Sequence, residues 1–245
     1  QIGKNSMMLA LAGEVYMMNG ELNLAADYFA KSAALDPDDP RKRTAVALTH
    51  VARGETEKAF RELEDIAATD SGMRADLALI AAHMQRREFD KALAAIARLE
   101  KKEPNSPLAN YWRGGALLGM NDMAGARRSF ELALGKDPMH FPAILNLSRL
   151  DVADKKPDAA QKRLEAVLAK DPRHLQALLA LADLRATSGG TPADVVALIT
   201  RAIGAHPSDS VPRLALIRYY LSRKDTNKAV VASQEAMAAI PDRPE

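Results

Sequence analysis

The sequence predicts an all-α protein, a solenoid of about seven helix-turn-helix repeats. Two series of residues carry this prediction, because alanine and proline each recur at intervals of about 34 residues or a multiple of that. The alanines are Ala25, Ala59, Ala92, Ala126, Ala160 and Ala229, and the prolines are Pro37, Pro104, Pro138, Pro172, Pro207 and Pro241. The composition is 47% hydrophobic and only 4% aromatic, which suits helices that pack through small side chains. A fixed period with helical character throughout indicates stacked helical repeats.

The period divides the chain into seven repeats, each with a first helix, a turn, a second helix and a loop. The repeats are 6–39, 40–72, 73–106, 107–140, 141–174, 175–209 and 210–243. Most loops carry Asp-Pro or a variant, and proline ends the second helix because it cannot continue one. The second repeat departs from this pattern and ends at Ser71-Gly72. Since each repeat contacts only its neighbours, we expect 1–245 to be a single array, cut from a longer protein.

The inner turns contain residues that accept a left-handed backbone. Such residues occur between the two helices of four repeats, where a tight turn needs a positive φ angle: Gly20, Gly54, Asn121 and Gly189. In the sixth repeat, Thr191 and Asp194 form a capping-box pattern that opens the second helix. These positions mark the boundary between the two helices in four of the seven repeats.

Charge and cysteine content exclude several classes of function. The chain has 34 basic and 32 acidic residues, mixed along its length, so it lacks the basic stripe that nucleic-acid binding requires. The basic run 41–43 faces nearby aspartates and is interpreted as a solvated edge. The chain has no cysteine, which excludes disulfides, thiolate metal sites and cysteine nucleophiles. No apolar run reaches the length of about 18 residues that a membrane span needs, so none is expected in this segment.

No pattern in the sequence predicts catalysis. The histidines are His50, His83, His140, His174 and His206. His140 and His174 occupy equivalent positions in successive repeats, about 8 to 10 Å apart or more, which is too far to share a zinc ion. The run Gly189-Gly190-Thr191-Pro192 lacks the Lys-[Ser/Thr] ending of a phosphate-binding loop. We therefore expect no catalytic residue, no metal and no cofactor, and a protein that is not an enzyme.

Several residues resemble the tetratricopeptide repeat (TPR) family. In the first repeat, the positions of large, small, aromatic and proline residues in that family are filled by Leu9, Gly13, Tyr16, Ala25, Phe29 and Pro37. The fourth repeat matches with Gly114, Ala126, Phe130, Ala133 and Pro138. The resemblance implies a right-handed superhelix whose first helices line a concave face. Small residues are expected where two helices approach closely, Gly13 beside Ala25 and Gly114 beside Ala126.

The resemblance also implies a partner-binding site on the concave face. The candidate residues are Glu14, Met17, Met18, Leu48, Met84, Tyr111, Leu118, Arg149, Asp183 and Arg218. This mainly apolar set suits an extended peptide or a partner helix. TPR proteins that grip acidic carboxy-terminal tails use groove asparagines, and none of the equivalent positions here is asparagine, so that mode is not expected. Arg149 and Arg218 remain able to bind a carboxylate, because arginine offers a bidentate fork.

A narrower resemblance concerns four short runs, 74–79, 88–93, 141–143 and 146–151. They resemble the TPR lipoproteins that accompany exosortase and PEP-CTERM sorting systems. This implies a scaffold on the periplasmic or outer side of a bacterial envelope, beside exopolysaccharide production, with a lipid anchor upstream of this segment. Two alternatives remain open, a generic cytoplasmic TPR adaptor and a regulatory part of a larger enzyme. The apolar residues Val230, Met237 and Ile240 predict that more repeats follow and that the segment alone can dimerise.

Overall fold

The computed structural model describes residues 5–240, which form fourteen α-helices and no strand. This confirms the all-α fold with about seven helix-turn-helix repeats. The helices are α1 (Ser6–Met18), α2 (Leu22–Leu35), α3 (Pro40–Ala52), α4 (Thr56–Thr69), α5 (Arg74–Gln85), α6 (Phe89–Lys102), α7 (Leu108–Gly119), α8 (Met123–Lys136), α9 (Phe141–Ala153), α10 (Pro157–Lys170), α11 (Leu175–Thr187), α12 (Pro192–Ala205), α13 (Ser210–Ser222) and α14 (Thr226–Ala239). The expected terminal proline, Pro241, lies outside the described residues.

The helices group into two compact units, Gln1–Lys136 with α1 to α8 and Asp137–Glu245 with α9 to α14. Within each unit the two helices of a pair pack on each other, and each second helix packs on the next first helix. First helices also touch directly, α3 with α5 in the first unit and α11 with α13 in the second. The single continuous array expected from the sequence stays a prediction.

All seven inner turns contain one residue with a positive φ angle. Four are the predicted Gly20, Gly54, Asn121 and Gly189, and three are residues that the sequence did not single out, Arg87, Lys155 and Lys224. After each of them, a backbone N–H donates to a carbonyl five residues earlier, as Glu55 does to His50 at 2.8 Å. The seven pairs therefore share one turn geometry whether or not glycine is present.

In the first unit, small residues on a first helix make room for an aromatic ring on the second. A Cβ atom added to Gly114 would lie 2.5 Å from Cε1 of Phe130, and one added to Gly13 would lie 2.8 Å from Cδ1 of Phe29. The nearest neighbours of each glycine are therefore atoms of a phenylalanine ring. Ala25 and Ala126, the small residues expected beside these glycines, are completely buried as well.

In the second unit, aliphatic side chains fill the core. The fully buried residues include Leu147, Leu164 and Leu178, and Val195 takes the place of the mid-repeat alanine with 1% exposure. The predicted capping box is confirmed, since Thr191 accepts from the Asp194 N–H and the Asp194 side chain accepts from the Thr191 N–H. These buried residues and the capping box lie in the pairs α9/α10 and α11/α12.

The loop that lacks proline is held by a buried acid and a lysine. The Nζ of Lys102 donates to Ala67 O at 2.8 Å, to Gly72 O at 3.3 Å and to Asp76 Oδ2 at 2.5 Å. Asp76 is completely buried and also accepts from Arg98 Nε at 3.1 Å. Charged hydrogen bonds thus fix the loop where an Asp-Pro ending is missing, because a buried carboxylate requires such partners.

Candidate functional site

Four of the ten candidate residues line one groove in the first unit. Glu14, Met17 and Met18 come from α1 and Leu48 comes from α3, and the groove has a volume of about 440 Å³. Its other lining residues are Phe29, Arg41, Thr44, Ala45 and Arg74. Met18 is 87% exposed, so a large flexible thioether faces the solvent at the edge of this groove. Methionine adapts its shape to different partners, which makes the surface suitable for binding.

The arginines of this groove differ in their electrostatic environment. The Arg41 guanidinium donates to Asp39 at 2.8 Å and holds the pKa of that carboxyl down at about 2. Among the described residues, no carboxylate lies within 4 Å of the Arg74 guanidinium, and no cation lies within 4 Å of the Glu14 carboxylate. The groove therefore offers methionine and leucine beside one available cation and one available anion.

The other three candidates of the first unit, Met84, Tyr111 and Leu118, are half-buried. Met84 packs against the hydrophobic core, and its Cε would lie 3.4 Å from a Cβ added to Gly115. The ring of Tyr111 is half-buried, 5.5 Å from the Trp112 ring and 6.1 Å from the buried Phe130 ring. Leu118 is half-buried as well. None of the three lines the groove of the first unit.

A second groove lies between α9 and α11 in the second unit and has a volume of about 390 Å³. Two of the candidates, Arg149 and Asp183, line it from opposite helices. The remaining lining residues are mostly apolar: Leu145, Ser148, Val152, Ala160, Leu164, Gln176, Leu179, Ala180, Leu184 and Thr187. The groove is therefore apolar with a cation on one wall and an anion on the other.

The first helices of the second unit carry three rows of equivalent residues, one row member on each of α9, α11 and α13. A leucine row contains Leu145, Leu179 and Leu214, and a second apolar row contains Val152, Ala186 and Leu221. Between them runs a charge row, which consists of Arg149, Asp183 and Arg218. On each helix the three members are spaced i, i+4 and i+7, so they share one face. All three members of the charge row are exposed, and so are Leu214 and Leu221, at 46% and 54%.

Two histidines for which the sequence predicted no function form hydrogen bonds across inner turns of the first unit. His50 and His83 are buried, and the Nδ1 of each lies 2.8 Å from the carboxylate of the glutamate five residues later, Glu55 and Glu88. The hydrogen bond from His83 lowers the pKa of Glu88 below its usual value. The spacing His-(4 residues)-Glu, repeated 33 residues apart, is the sequence feature that identifies this role.

Metal sites and membrane spans are two further possibilities for residues 5–240. No group of three or more histidine, aspartate, glutamate or cysteine side chains there is arranged to hold a metal ion. No helix in the same range is long and apolar enough to cross a lipid bilayer.

Comparison with known proteins identifies the repeat type. Family models of the tetratricopeptide repeat match residues 77–139 and 117–184. Tetratricopeptide repeat protein 8 of Caenorhabditis elegans is 25% identical over 163 residues, which are 64% of this chain and 32% of that protein. Protein O-mannosyl-transferase TMTC1 of Homo sapiens is 25% identical over 152 residues, which are 60% of this chain and 17% of that protein. The chain thus spans about a third or less of the length of these relatives.

A solved structure extends the similarity to nearly the whole chain. It is a tetratricopeptide repeat protein from Parabacteroides merdae, which superimposes with a TM-score of 0.64 at 16% sequence identity. The superposition covers 96% of this chain and 93% of that one, and at this identity it establishes the fold alone. The stretch 77–184 therefore consists of tetratricopeptide repeats, and the described residues as a whole have the fold of tetratricopeptide repeat proteins.

Proposed function

We propose that this chain is a non-enzymatic scaffold that binds a protein or peptide partner on the exposed face of its first helices. Tetratricopeptide repeats generally mediate protein–protein interactions, and this chain contains them. The observation that carries the proposal is the apolar character of the exposed first-helix surface. Met18 and Leu48 line one groove, and Leu214 and Leu221 share a face of α13; each is at least 40% exposed, and apolar side chains that lie together on a surface mark interaction sites.

The two grooves support the same reading. Each combines an apolar lining with a small number of charged side chains, Glu14 and Arg74 in the first unit and Arg149 and Asp183 in the second. Apolar contacts supply binding free energy, and sparse charges at the edge fix the register of the partner. A catalytic site would instead bring nucleophile, base and orienting groups within hydrogen-bond reach of one another.

The cellular setting belongs to the proposal as well. We place the scaffold on the periplasmic or outer side of a bacterial envelope, in a system for exopolysaccharide production and PEP-CTERM protein sorting. Support comes from the resemblance of the runs 74–79, 88–93, 141–143 and 146–151 to the lipoproteins of such systems. The partner is then an envelope or secreted protein, or a component of polysaccharide export.

A second candidate function is a repeat segment that serves a larger enzyme. The similarity to protein O-mannosyl-transferase TMTC1 favours it, because the matched 152 residues are only 17% of that protein. In this case the chain still binds a protein or peptide segment, but the segment lies in the same polypeptide as the catalytic domain. A third candidate function is that of a cytoplasmic adaptor that binds a soluble partner.

Site-specific photo-crosslinking in the cells that make the protein tests the proposal. The reactive residue replaces Met18 in the first unit or Leu214 in the second, both of which are exposed on first helices. Leu132 is the matched control, because it is a 58% exposed leucine on a second helix, α8. Captured proteins are identified by mass spectrometry from the full-length protein at its natural level.

We expect the reactive residue at Met18 or Leu214 to capture a specific partner, and the reactive residue at Leu132 to capture at most a trace of that partner. A captured envelope protein supports the proposed setting, and a cytoplasmic partner moves the scaffold to the adaptor setting. Capture of the chain's own catalytic domain supports the enzyme setting. Equal capture at all three positions, or none above the sample without irradiation, contradicts the binding face itself.

A further inference from the structure

The helices α1 and α14 each lack one neighbour that most other helices have. The first helices α3, α5, α7, α11 and α13 are each packed against the second helix that precedes them. Among residues 5–240, α1 packs on α2 with no second helix before it, and α14 packs on α13 with no first helix after it. The contact that joins one repeat to the next is therefore left open on one side of α1 and on one side of α14.

The open side of α1 is apolar. Met8, Leu11 and Val15 lie at spacings i, i+3 and i+7, which places them on one face, and they are 43%, 53% and 51% exposed. Two repeats later, the positions of Met8 and Val15 are filled by Ala75 and Ala82 of α5, and both are buried. The equivalent residues of α7 and α11 are buried as well: Ala109, Ala116, Ala177 and Leu184.

The open side of α14 is apolar too. Val230 and Met237, which are seven residues apart on one face, are 50% and 67% exposed. The equivalent of Met237 on α10 is Leu168, which is buried in the helix that packs on α11. The equivalent of Val230 on α4 is Phe60, which is buried and whose ring stacks on the His83 ring of α5 at 4.5 Å. Both positions thus face the next first helix where one is present.

The contact between α12 and α13 shows how the two open sides fit together. Ile203 of α12, the equivalent of Met237 one repeat earlier, packs against a hydrophobic cluster to which α13 also contributes. The α13 residues at this cluster are Ala215, Leu216 and Tyr219. Their equivalents on α1 are Leu11, Ala12 and Val15. The open sides of α14 and α1 are therefore the two halves of a contact that the chain already forms internally.

We propose that copies of this chain associate end to end, with the open side of α1 in one copy packed on the open side of α14 in the next. The occupant of each face is a second copy, because one chain carries both halves of the α12/α13 contact. The sequence predicted association through the α14 side alone, and α1 supplies the surface that it meets. Since the contact joins two different surfaces, it produces rings or open chains of copies and not a two-fold dimer.

The association is weak because the contact is small. The helix α1 has 13 residues and is about 20 Å long, so one helix pair buries less than the roughly 1,200 Å² of a stable interface. Association then requires chain concentrations of about 0.1 to 1 mM, or a site in the cell where copies are held together. The α1 residues that line the groove are others, Glu14, Met17 and Met18, so the end contact leaves them available. If the proposed function holds, each added copy contributes further grooves and raises the avidity for a repetitive partner.

Cross-linking of single-cysteine variants tests the inference, because the chain has no cysteine of its own. The variants Leu11→Cys and Met237→Cys are purified separately, mixed at high concentration and treated with a short bismaleimide cross-linker. The control mixture combines Leu11→Cys with Leu132→Cys, since Leu132 is a 58% exposed leucine on the second helix α8. Denaturing gel electrophoresis measures the fraction of chains in a product of doubled mass. Circular dichroism verifies that all variants remain helical.

We expect the mixture of Leu11→Cys and Met237→Cys to give about tenfold more doubled product than the control mixture or either variant alone at about 1 mM. Adding Val15→Lys to the Leu11→Cys variant should reduce this product by about tenfold, because the lysine places a charge in an apolar contact. Leu24→Lys in its place is the matched control, since Leu24 is 42% exposed and lies on α2. It should leave the yield unchanged.

A mixture that gives no more product than its control overturns the inference. So does an equal yield from Leu11→Cys alone, because that product joins α1 to α1. Photo-crosslinking at Leu11 in the full-length protein, in the cells that make it, distinguishes the other occupants. Capture of a second copy supports the inference, whereas capture of a different protein or a link within one polypeptide overturns it. None of these variants changes a groove residue, so a partner captured at Leu214 would still support the proposed function.

Discussion

At the residue scale, the packing of two helix pairs depends on contacts in which the size of the side chain is decisive. Gly114 and Gly13 have no side chain, and the rings of Phe130 and Phe29 occupy the space that a Cβ would fill. Phe130 is completely buried, so its ring has no free space to move into. A methyl group at either glycine must therefore displace an aromatic ring in a close-packed core.

We predict that Gly114→Ala lowers the free energy of unfolding by about 1 to 2 kcal/mol, because the overpacking outweighs the gain in helix propensity. Gly135→Ala is the matched control, since Gly135 is also helical and an added Cβ would meet nothing within 4 Å. The control should raise the free energy by about 0.5 to 1 kcal/mol. Urea unfolding followed by circular dichroism measures both. Equal effects of the same sign would contradict the account of the packing.

The buried acid Asp76 is a second residue on which stability depends. Asp76→Ala leaves Lys102 and Arg98 without their shared carboxylate and frees the loop at Gly72, so we predict a loss of about 3 kcal/mol. Asp27→Ala is the control, because the Asp27–Lys31 pair is about half-exposed on both sides. An exposed pair of this kind contributes little, because the solvent screens its charges. Similar midpoints for the two variants in thermal unfolding would refute the structural role of Asp76.

Asp39 makes the first unit sensitive to acid. It caps α3 and accepts from Arg41, which lowers its pKa to about 2, below the usual value of about 3.9 for an unfolded chain. A depressed pKa contributes stability above pH 4 or so, and this contribution is lost as the pH falls toward about 2. Asp39→Asn keeps a capping oxygen without the charge. The stability difference between the two proteins should therefore shrink between about pH 4 and pH 2 in urea unfolding, and a constant difference would be inconsistent with the ion pair.

At the element scale, the inner turn is the feature that every pair shares. Its left-handed residue is glycine or asparagine in four turns and Arg87, Lys155 or Lys224 in the other three. A residue with a Cβ is strained in this region by roughly 1 kcal/mol or more, so these three turns form because the packed helices impose them. The fold therefore accommodates residues that disfavour a positive φ angle where the packing of the flanking helices requires one.

Replacing one of these residues by glycine should relieve the strain. We predict that Lys155→Gly raises the free energy of unfolding by about 0.5 to 1 kcal/mol, after the entropy that glycine adds to the unfolded chain is subtracted. Lys162→Gly, in the middle of α10, is the control and should lower it by about 1 kcal/mol. Chemical unfolding of both variants measures these changes in the free energy of unfolding. A loss of stability in Lys155→Gly would mean that its side chain matters more than its backbone.

The sequence predicted the helices well and the turns only in part, for identifiable reasons. Asp-Pro endings and the Thr191 capping box predict helix boundaries directly. The proline ring cannot continue a helix, and the capping side chains hydrogen-bond to the backbone at the start of one. Arg87, Lys155 and Lys224 give no such indication, since neither residue type favours a positive φ. The proline-free loop at Gly72 was visible as an irregularity, but its fastening by Lys102 depends on a residue 30 positions away.

At the scale of the whole molecule, the two units present different surfaces on their first helices. The first unit has a groove lined by methionine and leucine, while the second has a charge row between two apolar rows. The sequence placed Glu14, Met17, Met18 and Leu48 on a shared surface, and they do line one groove. It could not foresee that Tyr111 packs against Phe130, because that contact joins two helices through the space left by Gly114.

We propose that the partner is recognised by the first-helix face and not by the opposite side of the helix pairs. The most direct measurement is the affinity of the partner captured at Leu214 for three purified proteins: the unchanged chain, a Leu214→Lys and Leu221→Lys double variant, and the Leu132→Lys control. Since one buried leucine contributes about 1.5 to 3 kcal/mol, the double variant should bind at least tenfold more weakly. The control should bind within about twofold of the unchanged chain. Equal affinity of the double variant, or a loss confined to Leu132→Lys, would contradict the account.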